Sequence, residues 1–214
     1  MSYAIPSVTR VSAAERGLTI ADFLVPVRVG ERVSPRMRDL GLVLAGTALL
    51  ILGSRISVPL PGTPVPVTLQ TLAVLLVGGA LGLRRGAIAT ALFVALGVVG
   101  LPVFAESKHG VDVILGTTGG YLIGFIAAAA LVGRLAELGW DRHIGGSVGM
   151  NLIGSLLIYA VGVPWLAVVL QVSLGEAIGL GVVPFLAGDV LKLLVAAGAF
   201  PAAWWVVGRR PSDR

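Results

Sequence analysis

The sequence has no cysteine and few charged residues. Because none of the 214 residues is cysteine, disulfide bonds and thiolate metal sites are excluded. Only two histidines, His109 and His143, are present; they fall in different predicted loops, so the sequence predicts neither a metal site nor a resident cofactor. Charged residues make up 13% of the chain, against about 25% in soluble domains. With 56% hydrophobic residues, the chain is predicted to be an integral membrane protein.

Several motifs of enzymes and nucleic-acid-binding proteins are missing as well. The net charge is +5, but the basic residues flank apolar segments, so nucleic acid is not a predicted partner. The sequence has no GxxxxGK[ST] phosphate loop, so any ATP-driven step has to come from other subunits. It has no HExxH motif and no pair of aspartates within the apolar segments, which disfavours an intramembrane enzyme.

What the sequence does have is apolar segments long enough to cross a bilayer. Residues 1–36 are mixed and polar and are predicted to be a cytoplasmic extension, followed by a membrane domain over 37–210. The fold class predicted is an all-α membrane protein of six transmembrane helices. The predicted spans are Leu40–Ile56, Val67–Leu83, Gly86–Val103, Gly119–Leu138, Ile144–Val163 and Val182–Val207.

Residues 165–181 are apolar but contain Gln171, Ser173 and Glu176. We interpret them as an amphipathic or re-entrant segment at the outer surface, with a seventh span as the competing interpretation.

Most arginines fall on one side of the membrane if there are six spans. The positive-inside rule then places both termini in the cytoplasm, whereas a seventh span would put the C-terminal arginines outside.

The last apolar segment carries an acid and a base. Asp189 and Lys192 are three positions apart, so they share one face of a helix. Charged residues at the centre of a span cost roughly 2.5–3.5 kcal/mol each. The pair is either a self-neutralised contact that holds helices together or a binding site for a polar solute, which is the usual role of charges within the membrane.

Further candidates lie at the ends of predicted spans. Gln70 and Thr71 follow the proline-rich loop Ser57–Pro66, which is either a lid or a plain connector. The paired glycines Gly119–Gly120 precede Tyr121 at the start of the fourth span. They allow close helix packing, or offer backbone N–H groups to an anion. Tyr121 is either an aromatic of the membrane interface or a ring that stacks on a ligand.

These segments also carry a family resemblance. LPGTPVPVTLQTLAVLLVGGALGLRRGA, LGVVGLPVFA, LGTTGGYLIGF and PFLAGDVLKLL occur in this order. Together they resemble the BioY family, the biotin-binding S components of energy-coupling-factor transporters. The resemblance covers about residues 38–208 and does not extend to the N-terminal tail. In the loop 105–112 the chain has charges where the family pattern has more glycine.

The resemblance implies high-affinity biotin capture and uptake across the bacterial cytoplasmic membrane. It implies partners as well: a membrane coupling subunit, two ATP-hydrolysing subunits and the surrounding lipid. The family's binding residues correspond to six positions of this chain, Gln70, Thr71, Gly120, Tyr121, Asp189 and Lys192.

Gly41 and Ala45 form a small-xxx-small pair on the first span, where another helix can approach closely. Spacing alone leaves open whether that helix is internal or belongs to a partner. With the resemblance, we expect the coupling subunit to pack there.

The alternatives to transport are an intramembrane enzyme, with Asp189 and Lys192 as acid and base, and a membrane scaffold. For biotin, we expect the ureido ring to meet Asp189 and Lys192 and the carboxylate to face the outer loops and the N–H groups around Gly119–Gly120. The alternative is that Lys192 holds the carboxylate.

Overall fold

The computed structural model describes residues 18–24 and 34–208, and helices dominate both ranges. An antiparallel pair of short strands, β1 (Ser57–Val58) and β2 (Val67–Thr68), closes the base of the proline-rich loop. Single helical turns lie at Ala105–Ser107, Trp140–Arg142 and Val183–Phe185. The helices are α1 (Ile20–Leu24), α2 (Pro35–Arg55), α3 (Gln70–Val98), α4 (Val111–Leu115), α5 (Gly119–Glu137), α6 (Ile144–Leu170), α7 (Leu174–Gly181) and α8 (Leu186–Gly208).

Within these ranges, five helical runs are long and apolar enough to cross a membrane. Much of their surface is apolar and faces outward, as expected for helices in contact with lipid. The prediction of an all-helical, multi-pass membrane protein is therefore confirmed at this level. The five runs are Pro35–Arg55, Gln70–Val98, Gly119–Glu137, Ile144–Leu170 and Leu174–Val207.

The second run is broken by one glycine. Gly82 has φ +83° and ψ 179°, a conformation open to glycine and strained for other residues. A Cβ atom on Gly86 would lie 3.0 Å from the Cα atom of Gly78, so the parts of α3 on either side of the break lie against each other. The break predicted between the spans Val67–Leu83 and Gly86–Val103 is therefore displaced: the chain reverses at Gly82, and Arg84 and Arg85 are already helical.

Close approach of backbones holds the centre of the bundle together. A Cβ atom on Gly78 of α3 would lie 2.7 Å from the Ala129 carbonyl oxygen of α5, so only glycine fits there. Around this contact, Val74 and Phe93 from α3 and Ala128 from α5 are fully buried. Small residues permit such contacts between helices in lipid, and they set α3 and α5 at the core.

Helix α6 is longer than the predicted fifth span. The prediction ended that span at Val163, but the helix continues through Pro164 to Leu170. It ends at Gln171, which has a left-handed backbone conformation. The Ser173 hydroxyl then accepts a hydrogen bond from the Glu176 N–H and begins α7. The predicted outer segment 165–181 is thus divided, with its first six residues belonging to α6.

The N-terminal stretch predicted as an extension contributes α1 to the bundle. Thr19, Ile20 and Ala21 are 2–3% exposed. Asp22 accepts hydrogen bonds from Arg38 Nη2 at 3.1 Å and Arg85 Nη1 at 2.8 Å. This short helix is therefore fastened to the beginning of α2 and to the reversal in α3. Residues 1–17 and 25–33 lie outside the described ranges.

The C-terminal half of α8 packs on the same end of the molecule. Trp204 Nε1 donates to Asp141 Oδ2 at 2.6 Å, the Arg142 guanidinium lies 4.4 Å from the Trp204 ring centre, and Phe23 meets the same ring edge-on. Burial raises the pKa of Asp141 to about 6, against the Trp204 hydrogen bond and the charges of Arg142 and His143, which lower it. Trp204 therefore joins α8 to α1 and to the turn between α5 and α6.

Candidate functional site

A cavity opens at the end of the bundle opposite α1. Its empty volume is about 810 Å³, including the open space at its mouth. We call it the polar cavity. Its lining comes from the β1–β2 loop, the start of α3, the loop before α4, α5, α6 and the start of α8: Val65, Pro66, Thr68, Gln70, Thr71, Phe104, Ala105, Lys108, Val113, Thr118, Tyr121, Leu122, Phe125, Ser155, Ile158, Tyr159, Gly181, Phe185, Asp189 and Lys192.

The predicted acid and base lie in this cavity as a bonded pair. Lys192 Nζ donates to Asp189 Oδ1 and to Thr71 Oγ1, each at 3.0 Å. The second carboxylate oxygen, Asp189 Oδ2, accepts a hydrogen bond from the Tyr159 hydroxyl. The Lys192 and Asp189 side chains are 9% and 17% exposed. Three helices, α3, α6 and α8, thus hold the two opposite charges in a fixed arrangement facing the cavity.

Gln70 adds a buried amide to the lining. Its Oε1 atom accepts a hydrogen bond from Thr68 Oγ1 at 3.3 Å, and its backbone N–H donates to the same hydroxyl at 3.2 Å. Its Nε2 atom is buried and has no hydrogen-bond partner among the described residues. A buried unpaired donor costs about 1–3 kcal/mol, so this amide favours a ligand that brings an acceptor.

Aromatic side chains form much of the remaining wall. Tyr121 meets Tyr159 edge-on, with ring centres 6.4 Å apart, and its hydroxyl donates to the Gly181 carbonyl oxygen at 3.0 Å. Phe125 and Phe185 lie in the same lining. Of the two interpretations of Tyr121, the structure favours a ring at the cavity, since the residue is 7% exposed.

Gly120, also predicted as a site residue, lies at a contact between two helices. It is not among the lining residues, and a Cβ atom on it would lie 2.3 Å from the Cβ atom of Trp165. The glycine allows α5 and α6 to approach closely. The neighbouring Gly119 N–H donates to the Gly116 carbonyl oxygen at 3.2 Å, so this N–H group is already engaged.

The pair predicted as a partner interface lies on the outward face of α2. Gly41 and Ala45 are both exposed, and a Cβ atom on Gly41 would meet no atom of the described chain within 4 Å. Gly46 is different: a Cβ atom there would lie 2.7 Å from Leu81 Cδ1. Gly46 therefore makes a close internal contact of α2, while Gly41 and Ala45 remain available to another protein.

Sequence reasoning missed two polar residues of α6 in the cavity. Ser155 and Tyr159 both line it, and Tyr159 completes the bonding of Asp189. Their spacing of four places them on one helix face, in a span that is otherwise strongly apolar. That spacing was a usable signal. Lys108 was also missed, because it belongs to a loop rather than to a span.

These features define a class of protein: a multi-pass membrane protein with a solute-sized cavity whose charged pair is kept from lipid. The sequence profile of the BioY family matches residues 26–209. The chain belongs to the BioY family.

Related proteins agree with this placement. A biotin transporter BioY from Thermotoga maritima is 44% identical over 158 residues, which cover 73% of this chain and 90% of that protein. A probable biotin transporter BioY from Pyrococcus horikoshii is 37% identical over 75% of this chain and 93% of that protein. Among solved structures, the S-component for biotin from an ECF-type ABC transporter matches with a TM-score of 0.73 and 26% identity, covering 79% of this chain and 92% of that one. These relatives are transporters, not enzymes or scaffolds.

Proposed function

We propose that this protein captures biotin in the polar cavity and is the substrate-binding S component of an energy-coupling-factor transporter in the cytoplasmic membrane. The carrying observation is the Lys192–Asp189 pair, held by Thr71 and Tyr159 in the cavity wall. In a scaffold, such a pair would be expected between packed helices with no cavity beside it.

The chemistry of biotin matches the lining group by group. Its ureido ring offers two N–H donors and one carbonyl acceptor, its bicycle is apolar, and its tail ends in a carboxylate. Asp189 can accept from the ureido N–H groups, and Gln70 Nε2 or Lys192 can donate to the carbonyl. The aromatic rings of Tyr121 and Phe125 suit the apolar bicycle. The ureido end is therefore assigned to the charged pair.

Six spans with both termini in the cytoplasm follow if α3 is counted as two. The reversal at Gly82, with the two parts of α3 side by side, supports an antiparallel hairpin. This arrangement puts Arg84, Arg134 at the end of α5 and Arg142 before α6 on the cytoplasmic side, as the positive-inside rule requires. The polar cavity then opens outward, and α7 lies at the outer surface as a short amphipathic helix.

Energy for uptake comes from partners in this proposal. The chain has no phosphate loop, and the matched solved structure belongs to an ECF-type ABC transporter. A membrane coupling subunit and two ATP-hydrolysing subunits would complete the assembly. The coupling subunit would pack on the exposed small-residue face at Gly41 and Ala45.

The test is to identify the small molecules that the purified protein carries. Protein from cells grown with biotin is denatured and the released molecules are analysed by mass spectrometry. We expect unaltered biotin in wild-type protein and little or none in Asp189→Asn. A chemically altered ligand would indicate an enzyme. Equal amounts of released biotin from both proteins would show that the charged pair does not bind it.

A further inference from the structure

We propose that Lys108, on the loop before α4, binds the carboxylate of the ligand and so distinguishes biotin from its neutral derivatives. This inference rests on the proposed function, because it names the second half of the same site. The lining contains three charged side chains among the described residues, Lys108, Asp189 and Lys192. Asp189 and Lys192 form the buried pair, so Lys108 is the remaining charged side chain of this lining, and it is a cation.

The buried pair of the described lining offers no free cation to a ligand carboxylate. Lys192 is bonded to both Asp189 and Thr71, and a ligand carboxylate there would lie beside the Asp189 carboxylate and be repelled by it. The N–H group of Gly119 is already bonded to Gly116. A ligand that places its ureido ring against Asp189 therefore needs its countercharge elsewhere, towards the mouth.

Lys108 is placed and partnered to meet that need. Its Nζ atom lies 2.6 Å from Glu106 Oε2, and the two side chains are 58% and 34% exposed. A pair this exposed is held weakly, so a ligand carboxylate can replace that of Glu106. The buried pair at Asp189 cannot be exchanged so readily, because its members are bonded on three helices.

The loop that carries Lys108 is fixed in position. Arg55, at the end of α2, donates to Ser107 Oγ and to the Pro102 carbonyl oxygen. The Phe104 N–H donates to the Lys108 carbonyl oxygen at 3.2 Å, and the Lys108 N–H donates to the Ala105 carbonyl oxygen at 3.1 Å. With its backbone held, Lys108 loses less freedom when it meets a ligand, which favours binding.

The test compares biotin with biotin amide, which has the same shape and no tail charge, by calorimetric titration of purified protein free of biotin. The ratio of the two dissociation constants measures what the carboxylate contributes. In wild-type protein we expect biotin to bind about fivefold more tightly than the amide, as for an exposed charge pair. In Lys108→Gln the ratio falls to about one, while affinity for the amide stays within about twofold.

Two further variants make the test specific. Glu106→Gln removes the competing carboxylate and should raise the ratio above the wild-type value. Asp112→Asn removes an exposed charge of the same sign on α4, outside the lining, and should leave the ratio unchanged. An equal rise in both would show a general field effect and overturn the proposal, as would a wild-type ratio in Lys108→Gln.

The failure of this inference differs from failure of the proposed function. If biotin binds tightly but Lys108→Gln discriminates as the wild type does, the function stands and the role of Lys108 is wrong. If neither biotin nor its amide binds to the wild-type protein or to any variant, the proposed function itself is wrong. Binding of the amide also shows that each variant is folded.

Discussion

At the scale of single residues, the site depends on how Asp189 is bonded. Lys192 occupies one carboxylate oxygen and Tyr159 the other, so the carboxylate is held in one orientation in the cavity wall. The position of Lys192 does not depend on Asp189 alone, because Lys192 also donates to Thr71. Removing one member of a buried ion pair leaves the other charge buried without a partner, which destabilises the protein.

Two tyrosines in the same cavity provide a matched comparison. Tyr159→Phe removes the donor to Asp189 Oδ2 and should weaken biotin binding by about 2 kcal/mol, as for a hydrogen bond to a charged group. Tyr121→Phe removes only a bond to the Gly181 carbonyl and should cost less than half as much. Asp189→Asn should cost about 3 kcal/mol. Equal losses in the two tyrosine variants, measured by calorimetry, would contradict this ranking.

Asp141 gives a pH dependence of stability at the opposite end. Its pKa in the folded protein is about 6, above the usual 3.8, so between these values the folded state binds more protons than the unfolded state. Stability from this group is therefore present at pH 4 and is lost as pH rises through 6, by on the order of 2–3 kcal/mol. Thermal unfolding in detergent from pH 4 to 7 should show this loss relative to Asp141→Asn. Parallel profiles for the two proteins would exclude it.

Much of the site could be predicted residue by residue, and the exceptions have physical reasons. Charges in an apolar span are costly wherever they lie, so Asp189 and Lys192 were predicted to form either a helix-packing contact or a binding site, and the structure places them in a cavity wall. Gly120 was assigned to the site through the family pattern, but a glycine serves close packing and ligand approach equally well. Lys108 could not be assigned, because the sequence does not tell how a loop folds over a cavity.

At the scale of elements, α1 links parts of the chain that are far apart in sequence. Asp22 bonds Arg38 and Arg85, and Asp39 lies 3.1 Å from Arg85 Nε. Burial works to raise the pKa of Asp22, but the Thr19 N–H and the Arg85 guanidinium outweigh it and hold the pKa below its usual value. The short helix is thus an ionic clamp on the beginning of α2 and on the reversal in α3.

The strength of this clamp can be measured with two neighbouring acids. Asp22→Asn should lower stability by about 2 kcal/mol, or about 5 °C in the unfolding midpoint, because the side chain is 12% exposed and bonded to two arginines. Asp39→Asn, at 46% exposure, should cost less than half as much. Hydrogen exchange at residues 18–24 should rise only in Asp22→Asn. Unchanged exchange there would show that apolar contacts alone hold α1.

The positions of the spans were predictable from apolar length, but the docking of α1 was not. The sequence placed a break between Leu83 and Gly86, close to the reversal at Gly82, because two arginines interrupt the apolar run there. The docking of α1 depends on contacts such as Asp22 with Arg85, across 63 positions of sequence. Nothing in the polar N-terminal stretch identifies which arginine it meets.

At the scale of the whole molecule, the proposed topology sets which surfaces a reagent can reach. Cysteine at His109, exposed on the loop by the cavity mouth, should react with an impermeant thiol reagent on intact cells. Cysteine at Arg84, exposed next to the reversal in α3, should react only after the membrane is opened. Because the chain has no native cysteine, each label reports one position. Labelling of both positions from outside would contradict six spans.

The docking face of α2 can be separated from the binding site. Gly41→Leu with Ala45→Leu should reduce biotin uptake in cells at least tenfold and leave the biotin affinity of purified protein within about twofold, because close helix approach is lost. Gly198→Leu, at an exposed and open position on α8, serves as the matched control and should retain uptake. Loss of binding in the α2 variant would indicate internal packing instead.

The charges described at the cavity sum to zero, and this has an electrical consequence. Asp189 offsets Lys192, and Glu106 offsets Lys108, so the empty site is neutral. Binding of ionised biotin makes the loaded site singly negative. Carrying that charge across the whole membrane into a negative interior costs about 2.3 kcal/mol per 100 mV. Uptake of the biotin anion is therefore opposed by the membrane voltage.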